Sequence, residues 1–166
     1  KLIIYIYEQF HKPANAWHEF LEFAAIATVC DVVSLTGENR VLVKEGLKRL
    51  NRTTHTGLSA LISATEMEGK QITSYHLGFV IGPCINASGR LKSAEMALSL
   101  LLCDDREQAL KQALELKDLN EERKNMTLTG LENAIQLIET SSLKEDKILV
   151  VYLPDCHESL AGIIAG

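Results

Sequence analysis

A carboxylate inside an apolar run is the first place in this sequence where residue type and setting point to chemistry. Asp31 stands in Val29-Cys30-Asp31-Val32-Val33, where an ionised group is costly unless it caps the backbone, pairs with a cation or binds a metal. The stretch GPCINASGRL, residues 82–91, combines permissive glycines with Asn86 and Arg90. It reads either as a cradle that holds an anion against N–H groups at the next helix start or as a tight turn between domains. His157-Glu158 precedes a run of small residues, which puts an imidazole at a helix N-terminus, either to meet an anion or as a structural histidine. His11, His18, His55 and His76 lack a ligand spacing such as HExxH and take no role. Arg40 reads as an internal brace. Cys30, Cys84, Cys103 and Cys156 are far apart and form no CxxC pair, so neither a zinc knuckle nor a disulfide framework is indicated, and reduced cytosolic thiols are expected.

The elements that must position these residues read as mostly helical. Leu2 to Phe10 fits a helix stopped by His11-Lys12-Pro13, because proline removes a donor and constrains its predecessor. Residues 15–28 form a second, and Thr36 caps a third that turns Val41, Leu42, Leu47 and Leu50 inward. A short helix over 57–68 ends at Gly69 in a left-handed cap. Tyr75 to Arg90 is interrupted by Gly78, Gly82, Pro83 and Gly89, which predicts a structured loop. After a helix over 93–102, Asp104-Asp105 opens a long one that reaches Thr140, a strut between domains. Its EERK run at 121–124 is charged all round. Ile148 to Tyr152 has the pattern of a buried strand, and His157 starts a helix after it.

Composition bounds the function. With 17 Lys plus Arg against 22 Asp plus Glu, the 166 residues carry a net charge of −5, so no basic field attracts nucleic acid from a distance and any such contact must be local. A hydrophobic content of 46% suits a globular chain. The apolar start KLIIYIYEQF is too short to span a membrane. Its abruptness, and that of the apolar end AGIIAG, suggests a fragment.

Four strings in order carry a family resemblance: AAIATVCDVVSLTGENRVLVKEGL, LGFVIGPCINASGRL, LNEERK and HESLAGIIAG. Together they resemble RecJ-type proteins of the DHH phosphoesterase family over nearly all of the chain. The first string matches the segment after the signature motif that supplies a late metal-binding aspartate, here Asp31. The second matches the glycine-proline loop, the third the start of the connector helix, and the last the opening of the DHH-associated domain. Cys84 stands where many relatives carry a basic residue, Cys156 where tryptophan is common, and Ser159 where glycine usually precedes the apolar run.

The resemblance implies an α/β protein that is predominantly helical over this piece. The C-terminal part of a DHH catalytic domain would occupy 1–74, a substrate loop and short helix 75–103, the connector helix 104–142, and the start of the DHH-associated domain 143–166. It also implies hydrolysis of a phosphodiester, 5′ to 3′ on single-stranded DNA in repair and recombination, by water activated between two Mn2+ or Mg2+ ions. Asp31 would be one ligand. Asn86, the Gly89 backbone and Arg90 would orient a phosphate, and His157 would approach it from the second domain. Other implied features are a monomer in the cytoplasm, no membrane contact, and a helicase or single-strand-binding protein as partner. The rival readings are a phosphodiesterase of short oligonucleotides or phosphonucleotides and a non-catalytic helical scaffold.

Overall fold

The computed structural model describes residues 2–13 and 15–166. Helix α1 (Leu2–Gln9) buries no residue, and left-handed His11 and Pro13 end it. The helix expected over 15–28 divides into a tight 3-10 segment, Ala16–Phe20, and α2 (Leu21–Cys30). Helix α3 (Gly37–Leu50) starts after Thr36 and lies along α2. The pair approaches closely because a Cβ on Gly46 would overlap the Leu21 carbonyl oxygen and the Ala25 side chain. The buried stripe of α3 is Val43, Gly46 and Leu50, at helical spacing. Val41, expected inside, is on the other side and 59% exposed. Arg40 is also exposed, so it braces nothing internal. Helix α4 (Thr56–Ala64) ends earlier than expected, at Thr65 and left-handed Glu66. Gly69, the expected cap, is left-handed in the turn beyond.

The expected loop over Tyr75 to Arg90 is helical instead. One turn, α5 (Ser74–His76), runs into a π-helical stretch, Leu77–Ile81, and on into α6 (Gly82–Leu91). Proline falls in the first turn of α6, and the wider π turn before it gives its ring room without breaking the rod. Gly82 and Gly89 keep ordinary α-helical backbone, Gly78 lies in the π stretch, and none of the three takes a positive φ. Gly82 serves packing: a Cβ there would strike Cys30 Sγ of α2 and lie 2.6 Å from the Leu77 carbonyl oxygen.

Ser93 caps α7 (Ala94–Leu101), and Asp105 caps α8 (Arg106–Thr140), its carboxylate accepting from the Gln108 N–H at 2.7 Å. At about 1.5 Å per residue the 35 residues of α8 extend roughly 52 Å. Its first half contributes Ala109, Ala113, Leu116 and Leu119 to one core with Leu58 and Leu61 of α4, Leu77 and Ile81 of the π stretch, and Leu100 of α7. Its second half buries only Gly130 and Ala134 and meets the C-terminal segment, a 3-10 turn (Ser142–Glu145) and α9 (Ala161–Ile164).

The strand expected over Ile148 to Tyr152 does not form, and no strand occurs among the described residues, which are helical, as expected of a predominantly helical piece. Ile148, Val150 and Tyr152 are 79%, 76% and 79% exposed. An apolar pattern becomes a strand only when a neighbour accepts and donates its ladder bonds, and the described residues supply no such edge.

Candidate functional site

Asp31 is the residue that follows α2, its N–H bonded to the Ala27 carbonyl at 3.0 Å. The buried carboxylate expected from the sequence is in fact exposed, because the helix stops at Cys30 and turns the next residues outward. Val32, 88% exposed, takes a left-handed conformation at φ 54, which is unusual for a β-branched residue. The Asp31 carboxylate has no hydrogen-bond or ion-pair partner among the described residues and sits at the negative end of the α2 dipole. Its charge is felt next door. Burial pushes the Cys30 thiol above its ordinary range, and Asp31 adds to that rise.

Asn86, Gly89 and Arg90 are exposed on α6, three and four residues apart, and so share one face. Because this segment is helix, the Gly89 N–H lies in the helix interior, where backbone donors are already used. The expected cradle of N–H groups at the next helix start is therefore absent: that start, at Ala94, is closed by the Ser93 hydroxyl. What Gly89 leaves is an open surface, its nearest neighbour to an added Cβ being Ala94 at 3.7 Å. Cys84 points away from this face. It is 2% exposed, its Sγ–H donates to the Val80 carbonyl at 3.3 Å, and burial raises its thiol pKa.

The contact that joins the distant motifs is made by Arg90, whose Nη1 donates to the Ser159 carbonyl at 2.8 Å across 69 positions of sequence. His157 precedes the 3-10 turn Glu158–Leu160, which runs into α9. Its Nδ1 accepts from the Ser159 N–H at 3.3 Å and lies 2.8 Å from the Ser159 hydroxyl. Leu160, 1% exposed, anchors the turn. A cavity of about 340 Å³ lies between this turn and α8, with Asn125, Thr129, Asn133 and His157 among its walls. Asp31 belongs to the other end of the rod: Cys30 Sγ donates to the Leu77 carbonyl at 3.7 Å, where α2 meets the start of α6.

Two of the remaining histidines hold helix starts. His55 caps α4 through Nδ1, and His76 Nδ1 accepts from the Thr73 N–H at 3.0 Å. One buried polar residue escaped the sequence reading. Asn120 is 3% exposed in mid-α8 and accepts from Arg123 Nε at 3.1 Å; only its place on the apolar stripe signals it. Ser159, which the sequence marks only as a departure from the family's glycine, contacts both Arg90 and His157.

Among curated proteins, the single-stranded-DNA-specific exonuclease RecJ of Thermus thermophilus is 37% identical over 147 residues, 89% of this chain and 21% of that protein. RecJ of Dickeya dadantii is 34% identical over 151 residues, 89% of this chain and 26% of that protein. The crystal structure of RecJ in complex with Mg2+ from Thermus thermophilus superposes with a TM-score of 0.87 at 35% identity, over 99% of this chain and 25% of that one. The chain is similar to a segment of RecJ along nearly its whole length. RecJ bound to manganese gives a TM-score of 0.85 at 35% identity, over 99% of this chain and 40% of that one. No family model matches. This RecJ-like chain spans about a quarter of the length of the Dickeya relative. Among the described residues no helix is long and apolar enough to cross a membrane, and no three His, Cys, Asp or Glu side chains gather as a metal-ligand group.

Proposed function

We propose that this chain is part of a RecJ-type, DHH-family exonuclease that hydrolyses single-stranded DNA, 5′ to 3′, with Mn2+ or Mg2+. The supporting observation is the Arg90–Ser159 contact, which closes the two motif-bearing segments on each other within a chain 34% to 37% identical to RecJ proteins. Arg90 then holds a strand phosphate through its free guanidinium N–H groups, Asn86 adds an amide on the same face, and Gly89 lets the backbone approach. His157 meets the strand from the opposite segment. On this reading residues 1–74 and 75–103 belong to the catalytic and substrate-loop regions, 104–142 to the connector and 143–166 to the second domain.

The chain alone does not fit a two-ion centre, since the described residues bring no ligand group together. Asp31 fits as one ligand: a hard oxygen donor, exposed and unpaired, at the negative end of a helix. The other ligands belong to parts of the whole protein outside this chain, so no step of the hydrolysis is assigned to these residues. Gly82, which touches Cys30, and Arg90 are eight residues apart on α6, about 12 Å along the axis. Arg90 would then meet the strand at the end of α6 away from its contact with α2. A monomer acting in the cytoplasm during repair and recombination, beside a helicase or single-strand-binding protein, completes the reading.

The test is digestion of long single strands, duplexes and dinucleotides by the full-length protein with Mn2+, alongside the 166-residue chain. The full-length protein should degrade long single strands only, and the chain alone nothing. Preference for dinucleotides would favour the short-oligonucleotide phosphodiesterase, and no turnover at all would favour the scaffold.

A further inference from the structure

Ser159 makes three contacts where the two motifs meet. Its N–H points to His157 Nδ1 at 3.3 Å, its hydroxyl oxygen lies 2.8 Å from the same nitrogen, and its carbonyl accepts from Arg90 Nη1 at 2.8 Å. An amide N–H can only donate, so Nδ1 must present its lone pair, and the hydroxyl hydrogen must then point to it as well. A neutral imidazole carries one ring proton, which is left on Nε2. Among the described residues Nε2 has no protein partner. The Arg90 bond holds the serine in place from its other side.

We infer that Ser159 is a positioning residue that fixes His157 as the Nε2–H tautomer, so that the imidazole meets its ligand as a hydrogen-bond donor and not as a metal ligand or general base. Coordination or proton uptake through Nε2 needs a lone pair there, which would move the proton onto Nδ1, against the Ser159 N–H, which can only donate, while the hydroxyl would turn to accept. A phosphate oxygen, which only accepts, is the ligand chemistry that matches an N–H with no protein partner. The substrate half of this inference rests on the exonuclease reading above. His55 and His76 are held through Nδ1 too, but their rings pack at 5.1 Å on Phe23 and 5.7 Å on Tyr75. The His157 ring has no such neighbour among the described residues.

Long-range 1H–15N correlation spectra of the 15N-histidine-labelled chain read the tautomer directly, without DNA, metal or turnover. The wild type should show the Nε2–H pattern at His157. Ser159→Ala keeps the amide donor that selects the tautomer and should leave the ratio as in the wild type, whereas Ser159→Pro, which removes that N–H in the first turn, should shift it toward Nδ1–H by roughly fivefold, the worth of one neutral hydrogen bond. A wild-type Nδ1–H pattern, or identical ratios in all three proteins, would overturn the inference. Because the readout is separate from catalysis, failure of the exonuclease reading leaves these spectra unchanged.

Discussion

Replacing Arg90 by lysine separates geometry from charge at the contact between the two motifs. Arg90 donates one bond to the Ser159 carbonyl at 2.8 Å from an exposed position, and its remaining N–H groups are free for a phosphate. The carbonyl bond contributes about 1 kcal/mol at such a site, and charge-assisted phosphate bonds about 1.5 to 3 kcal/mol before solvent screening. An ammonium keeps the charge but has no planar fork with which to hold both partners. Arg90→Lys should therefore weaken single-strand binding by the full-length protein about tenfold, and Arg90→Ala by several tens of fold, at 1.4 kcal/mol per decade. The assay is fluorescence anisotropy with oligonucleotides of several sequences, with divalent ions chelated so that the probe survives. The loss should be the same for every sequence, because phosphate contacts carry no base information. For Arg90→Ala the salt dependence should fall by about one unit, while Arg90→Lys should keep it. A loss that depends on sequence, or a lysine variant that binds like the wild type, would refute the assignment.

Asp31→Asn in the full-length protein should lower turnover far more than single-strand affinity, since a neutral amide is a poor ligand for a hard cation; equal losses would contradict it. In the isolated chain the same change removes the lesser of the two causes that raise the Cys30 thiol, so Cys30 should alkylate faster with iodoacetamide, and an unchanged rate would deny that the charge faces it. Glu122→Pro, at an exposed position in the middle of α8, should cost about 3 kcal/mol and kink the helix. The kinked full-length protein should bind metal yet lose processing of long strands, and His157→Ala should add little; strict additivity would make α8 a mere tether. Gly82→Ala drives a methyl group into Cys30 Sγ and should cost about 1 to 3 kcal/mol in urea denaturation. Adding Cys30→Ala should recover part of that, and no recovery would place the strain elsewhere.

How much was legible in the sequence varies by element, for physical reasons. The caps and extents of α7 and α8 follow from Ser93, Asp105 and a stripe at helical spacing, because capping and amphipathicity are local and need no distant partner. The ends of α1 and the left-handed Gly69 follow similarly. Residues 75–90 were misread because glycine and proline serve two purposes that composition cannot separate: turning a chain and letting two helices touch. Gly82 does the second, and only the position of Cys30 on α2 reveals it.

The candidate site divides along the same line. The residue types at Asp31, Asn86, Arg90 and His157, and the order of the strings around them, were decided by the sequence alone, because the chemistry of a side chain does not depend on its surroundings being known. Exposure and partnership were decided by the tertiary structure. An apolar neighbourhood in sequence did not bury Asp31, since burial depends on what packs over a residue and α2 ends just before it. The apolar run at 148–152 did not become a strand, since a strand needs a second chain segment to complete its hydrogen bonds. The Arg90–Ser159 bond spans 69 residues, a separation over which no periodicity carries information; it exists because α6 and the His157 turn are folded against each other, and that proximity is what brings the two motif-bearing segments together.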